Sequence, residues 1–256
     1  MQPRAGDDVR KVALIFLCLT VLVAAVMGGP KLVRAVRRAT SEERPNVVLL
    51  LLDTTRYDVC GWHGSVPQSP TPNLDSLSLT GTAYLACQAQ SSWTLPSMAT
   101  IYTGLSERSH GAGSRGGELY GLSEERETLA ELIDGLGYDT YAVFNVPVMD
   151  EPFGFWQGYD DVFPYVTQGS RVALDADTVV DIGLEWLDGR AEDLDPFFLT
   201  LHFFDPHYPY DPPAAYWEAV GVQRPRADYS CASVASMLST ARDGELTDEE
   251  LELLAR

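Results

Sequence analysis

The 256-residue sequence predicts an α/β domain built on a mainly parallel sheet, and three observations carry that expectation. Two short apolar runs, NVVLLLL from Asn46 to Leu52 and PFFLTLHF from Pro196 to Phe203, have the length of strands and no polar alternation. Runs of that kind mark strands covered on both faces. Between them, apolar residues recur at helical spacing. Strand-like and helix-like segments alternate without an internal repeat, as βαβ units do.

In chain order, the first strand is bounded by Pro45 and Asp53. Residues 73–80 read as a short helix closed by Gly81, and residues 82–88 as a second strand. Pro96 to Leu105 reads as a helix with the proline in its first turn, where a missing N–H does no harm. Thr128-Leu-Ala-Glu131 is a capping box. Behind it, Leu129, Leu132, Ile133 and Leu136 share one face of a helix that ends near Gly137. Thr140 to Asn145 is a further strand. Residues 176–188 form a helix with Val179, Ile182 and Trp186 on one side, and Pro196 to Phe203 is the last strand. The final ten residues also read as helical.

Val12 to Met27 is an uncharged apolar run closed by Gly28, Gly29 and Pro30. Its length lies between a spanning helix and a signal-peptide core. The expectation is a hydrophobic helix over residues 12–29 that anchors the chain in a membrane, with a cleaved signal as the alternative. Residues 1–11 are then a basic flank, 30–44 a linker and 45–256 the main domain. Arg10 and Lys11 precede the run; Lys31, Arg34, Arg37 and Arg38 follow it. The positive-inside rule leans towards a cytoplasmic C-terminal flank, which leaves the orientation open.

Charge narrows the function. The chain carries 18 Lys and Arg against 37 Asp and Glu, a net −19, and beyond residue 38 the balance is 11 basic against 35 acidic. So acidic a surface repels phosphate backbones, which excludes a nucleic-acid partner. Both lysines, Lys11 and Lys31, precede the main domain. That removes Schiff-base, Walker-A and protein-kinase lysines from it. Cys18, Cys60, Cys87 and Cys231 have no metal-site spacing and read as small buried hydrophobes.

Sites in parallel sheets form beyond the carboxyl ends of the strands. The first strand delivers Asp53 there, a hard oxygen ligand suited to a divalent cation. Thr94, in SSWTLPS, lies where the next helix begins, at its positive end. It reads as an N-cap or as a nucleophile activated by an adjacent metal. His207 follows the last strand in HFFDPHYPYDPP, held among prolines and tyrosines where it can protonate a leaving group. His202, inside the strand, reads as a satisfied core residue. Arg56 reads as a partner of Asp53 or a surface cation, and His63 and His110 as turn residues, with a role in the site as the alternative.

Five stretches in order resemble the sulfatase family of the alkaline phosphatase superfamily: PNVVLLLLDTTRYD, TPNLDSLSLTGTAY, SSWTLPSMATIYTGLSERSHGA, ETLAELIDGLGYDTYAVF and PFFLTLHFFDPHYPYDPP. The resemblance implies an alkaline-phosphatase-like three-layer α/β/α sandwich. It matches Asp53 to the first metal-binding Asp and Thr54 to the position where many members have a second. Thr94 stands where family members carry the Cys or Ser that becomes formylglycine, a position that serves as nucleophile and metal ligand. Pro96 and Ser97 fit the C-x-P-S-R signature, Met98 replaces its Arg, and His207 matches the active-site histidine. Asn145 and Pro147 stand in place of a Lys-x-His pair.

Two departures shape the expected chemistry. A threonine is a secondary alcohol that would oxidise to a ketone, so formylglycine is not expected. A threonine nucleophile is instead the habit of phosphodiesterase and phosphotransferase relatives. Family members also continue through a strand ending in Asp-His-Gly or Asp-Asn, which supplies further ligands. No such motif occurs here, so the chain resembles the N-terminal part of a catalytic domain. The implied activity is metal-dependent hydrolysis of a small-molecule or glycan sulfate ester, with Ca²⁺ as the metal, or Zn²⁺ or Mg²⁺ if the ester is a phosphate. The alternatives are a phosphodiesterase or phosphotransferase using Thr94, and an inactive relative with a binding or structural role. The implied setting is periplasmic or extracellular, on a membrane anchor.

Overall fold

The computed structural model describes residues 44–64, 69–165, 173–191, 195–208, 212–213 and 215–216. In chain order the elements are β1 (Val47–Leu52), α1 (Pro72–Ser78), α2 (Thr94–Thr103), the single turn α3 (Glu107–His110) and a hairpin of β2 (Gly113–Arg115) and β3 (Glu118–Tyr120). They continue with α4 (Leu129–Gly135), β4 (Asp139–Val143), β5 (Asp161–Phe163), α5 (Ala176–Asp188) and β6 (Phe197–Phe203). The main sheet has the order β1-β6-β4-β5, and all three of its pairings are parallel. The expected α/β class with a parallel sheet holds.

Side-chain alternation sorts the strands into two faces. Leu199, Leu201 and Phe203 of β6 join Tyr141 and Val143 of β4 against Val179, Ile182 and Trp186 of α5. On the opposite face, Leu51, Ala142 and Phe144 pack on Leu95, Met98, Ala99 and Tyr102 of α2, with Phe155 beside them. Phe198 completes that side against Ala130 and Ile133 of α4. The result is three layers with helices on both sides of the sheet. α2 exposes its i, i+3, i+4, i+7 stripe to the sheet, and this fixes its rotation.

Local chemistry sets the ends of the helices. Thr128 caps α4 as the capping box requires: its hydroxyl accepts from the Glu131 N–H at 3.1 Å, and the Glu131 carboxylate accepts from the Thr128 N–H at 2.8 Å. Asp175 caps α5 through the Thr178 N–H at 2.9 Å. Gly104 ends α2 at φ 66°, a left-handed cap in which glycine is free of Cβ strain. Gly158 lies against α4 so closely that a Cβ would sit 2.1 Å from the Glu131 nitrogen.

Several expectations are corrected. Residues 82–88 form no strand; they are exposed and irregular. β1 is an edge strand among the described residues, and Val48 (51% exposed) and Leu50 (49%) face outward because α5 covers only β4 and β6. α4 turns Leu129, Ala130 and Ile133 inward, whereas Leu132 and Leu136 are exposed, since the helix stops at Gly135 and its contact surface is set by Ala130. Helix α2 starts at Thr94 rather than Pro96. Cys60 is buried as expected, but Cys87 is exposed. β5 and the β2–β3 hairpin, three residues per strand, are too short to leave an alternation in the sequence. The apolar segment 12–29, its flanks, Cys18, Cys231 and the last ten residues lie outside the described residues. Among those described, no helix is long and apolar enough to cross a membrane.

Candidate active site

The site begins where β1 ends. The Asp53 N–H continues the ladder to the Phe203 carbonyl at 3.0 Å, so the ends of β1 and β6 stay in register. The chain then turns sharply at Thr54, whose φ of 53° lies in the left-handed region that β-branched residues avoid. The Thr54 hydroxyl donates to the Pro206 carbonyl at 2.9 Å and ties this turn to the loop that carries His207. Asp53 shares the parity of Leu49 and Leu51, so its buried carboxylate faces the α2 layer.

Helix α2 meets it there. Thr94 is the first helical residue, and its hydroxyl donates to Asp53 Oδ2 at 3.2 Å. The preceding Trp93 offers no side-chain cap, so this helix end lacks the oxygen acceptor that Thr128 and Asp175 give to α4 and α5. Thr94 is therefore not an N-cap. An uncapped first turn presents positive partial charge and backbone N–H groups to an anion.

Two histidines act on Asp53, one in contact with it and one through its charge. His202 shares the parity of Phe198 and Thr200, which also directs it towards α2. It is fully buried, and its Nε2 lies 3.5 Å from Asp53 Oδ2, an electrostatic contact at the outer limit of a hydrogen bond. Neither ring nitrogen has a hydrogen-bond partner. The expectation of a satisfied core histidine is thus half right: the residue is buried but not satisfied. His207 stacks on Phe204 with ring centroids 4.3 Å apart, and its Nδ1 sits 2.8 Å from the Tyr208 carbonyl. Burial pushes the Asp53 carboxyl up, but the contact and charge of His202, the charge of His207 and the Thr94 hydrogen bond outweigh it. The carboxyl is held below its ordinary value and is an anion at neutral pH.

Other candidates fall elsewhere. Arg56 pairs with Asp58 at 2.6 Å on the surface. Asn145 is buried and structural, donating to the Leu174 carbonyl at 2.9 Å and accepting from the Leu174 N–H at 2.8 Å. Met98 packs in the core where the family signature has an arginine. His110 is buried, with Nδ1 accepting from the Ala112 N–H and Nε2 3.1 Å from the Thr100 hydroxyl. His63 is exposed and edge-on to Tyr57.

For a metal, the donors at this rim are the Asp53 carboxylate, the Thr94 hydroxyl and the buried His202 imidazole. That chemistry fits a divalent cation in kind. It is not a full coordination shell, and no group of three or more His, Cys, Asp or Glu disposed to hold a metal occurs among the described residues. Beside the rim, a cavity of about 670 Å³ is bordered by Leu52, Thr55, Tyr57, Trp62, Leu77 and Tyr84.

A family profile described as Sulfatase matches residues 45–243. The chain is 28% identical to an arylsulfatase of Clostridium perfringens (strain 13 / Type A), over 68% of this chain and 46% of that protein. Among solved structures it resembles BT4656, determined in complex with its substrate D-glucosamine-2-N,6-O-disulfate, at a TM-score of 0.58 and 20% identity over 72% of this chain and 40% of that one. The phosphonate monoester hydrolase of Agrobacterium radiobacter matches at a TM-score of 0.50 and 22% identity, over 67% of this chain and 43% of that one. The chain spans less than half the length of these relatives.

Proposed function

The chain belongs to the sulfatase family, and on that premise we propose that it contributes the nucleophile half of a site that hydrolyses sulfate esters, with Thr94 as nucleophile, Asp53 as metal ligand and His207 as proton donor to the leaving group. The observation that carries this reading is the 3.2 Å hydrogen bond from the Thr94 hydroxyl to Asp53, made at an uncapped helix N-terminus. The two residues lie 41 positions apart in sequence.

Asp53 and the Thr94 oxygen would hold the divalent cation, with His202 beside them. Bound there, such an ion supplies charge that lowers the pKa of a hydroxyl it touches. The residues of the chain do the rest. The Asp53 carboxylate accepts the hydrogen bond that orients Thr94 Oγ1. The positive N-terminal end of α2 at Thr94 favours the anionic ester group, although Pro96 in the same turn has no N–H to offer it. Oγ1 loses its proton to solvent and attacks sulfur as the alkoxide, the bond from sulfur to the ester oxygen breaks, and His207 gives that oxygen a proton as it leaves. Water then releases sulfate from Thr94 and restores the hydroxyl. The aromatic walls of the neighbouring cavity suit the organic part of the ester. We place the domain at a membrane surface, outside the cytoplasm, held by residues 12–29.

Thr94 itself favours a second reading, in which the same machinery acts on a phosphate or phosphonate ester. A threonine cannot provide the aldehyde hydrate that expels sulfate easily, and a relative of the same fold is a phosphonate monoester hydrolase. The test is turnover of an aryl sulfate, an aryl phosphodiester and an aryl phosphonate by the wild type and by Thr94→Ala. The expected result is loss of turnover with a preserved circular-dichroism spectrum. Wild-type rates in the variant with every active ester would overturn the nucleophile assignment, and the ester that is turned over decides between the readings.

A further inference from the structure

A fully buried imidazole whose nitrogens make no hydrogen bond, Nε2 having only an electrostatic contact with Asp53, is a costly feature in a strand that could have carried a leucine. The other polar residue on the same face of β6, Thr200, is satisfied by the Tyr159 hydroxyl at 2.7 Å. His202 has only Asp53 Oδ2, at 3.5 Å. The same oxygen receives Thr94 Oγ1 at 3.2 Å. Donor atoms that share one tetrahedral zinc, at about 2.0–2.2 Å each, lie roughly 3.3 Å apart. Asp53 Oδ2 therefore stands at ligand-to-ligand spacing from both neighbours.

We propose that His202 Nε2 is a nitrogen ligand of the cation held by Asp53, and that the site consequently selects an imidazole-accepting ion such as Zn²⁺ over Ca²⁺ or Mg²⁺. This rests on the reading of Asp53 as a metal ligand given above. Ca²⁺ and Mg²⁺ take oxygen donors, whereas imidazole suits zinc and its transition-metal neighbours. The pairing of β6 on both sides fixes position 202 on the face towards α2. Thr54 offers no competing oxygen, since its hydroxyl is committed to the Pro206 carbonyl. The ligand set thus joins one carboxylate, one hydroxyl and one imidazole, drawn from the ends of β1, α2 and β6.

The experiment uses the full chain, stripped with a chelator and titrated separately with Zn²⁺, Co²⁺ and Ca²⁺ in calorimetry, with the visible bands of Co²⁺ as a spectroscopic readout. The wild type should bind Zn²⁺ more tightly than Ca²⁺. His202→Leu should weaken Zn²⁺ by roughly tenfold or more, with little change in Ca²⁺. It should also shift the Co²⁺ bands. His202→Gln, which keeps a polar side chain, should behave the same way and guards against a folding defect in the leucine variant. Equal loss of both metals, unchanged Co²⁺ bands in both variants, or no binding of Zn²⁺ or Co²⁺ by the wild type would overturn the proposal. Asp53→Asn separates the two claims: if it leaves all metal binding intact, the metal site at Asp53 is itself wrong. If it abolishes binding while the His202 variants have no effect, only the nitrogen ligand fails.

Discussion

Replacing Thr54 by glycine inverts the usual expectation for a loss of side chain. Thr54 holds φ at 53°, and an L-residue in the left-handed region is strained by about 1–2 kcal/mol. Glycine removes that strain but widens the unfolded ensemble by roughly 0.5–1 kcal/mol. It also deletes the exposed hydrogen bond to Pro206, which contributes about 0.5–1.5 kcal/mol. These contributions nearly cancel, so Thr54→Gly should stay within about 1 kcal/mol of the wild type. Thr54→Val keeps the strain and loses the bond, so it should fall roughly 1 kcal/mol below the glycine variant. Urea denaturation followed by tryptophan fluorescence reads both differences. Turnover should drop in both variants, because each frees the His207 loop from the end of β1, and should persist in Thr54→Ser, which keeps the hydroxyl. A glycine variant clearly less stable than the valine variant would refute the strain argument, and full turnover in both would refute the tether.

Further outcomes follow from the core and the caps. Tyr159→Phe removes the hydroxyl that joins Tyr102 at 3.1 Å and Thr200 at 2.7 Å, and should cost about 1–3 kcal/mol in chemical denaturation. Adding Thr200→Val should restore part of that loss, because an orphaned hydroxyl is then removed as well. Thr128→Ala breaks the capping box and a bond to the Gln157 carbonyl, and should lower stability by about 1–2 kcal/mol without altering turnover. Burial lowers the His110 imidazole below its ordinary value, against an opposing pull from Glu107. The unfolded chain therefore binds this proton at higher pH than the folded one. The His110 contribution is complete above the unfolded value of about 6.5 and falls as pH drops through it. The stability difference between pH 8 and pH 5.5 should accordingly be smaller in His110→Gln than in the wild type.

The backbone of this arrangement was legible in the sequence because hydrophobic runs, a capping box and strand-end positions are local signals. β6, α5 and the cap of α4 follow directly from them. Asp53, Thr94 and His207 could be named because each lies just beyond a strand or at a helix start. The cover of β1 is not legible, since an apolar run does not say which neighbours lie over it, and Val48 and Leu50 face outward where α5 does not reach. The stretch 82–88 has strand-like composition but makes no sheet partner among the described residues. The part His202 plays is hidden in the sequence for a different reason. Burial was readable, but the lack of a partner depends on which residues meet across β1, β6 and α2. Parity was the available signal, since Asp53 and His202 each end an alternation that faces the same helix.

The central claim is that Thr94 Oγ1 forms the covalent intermediate. The direct measurement is rapid acid quench of the chain turning over its best ester, followed by intact-mass analysis and fragmentation. One transferred sulfuryl or phosphoryl group is expected on Thr94, and none in Thr94→Ala. A turning-over chain that carries the group on another residue, or on none at every quench time while product accumulates, would contradict it.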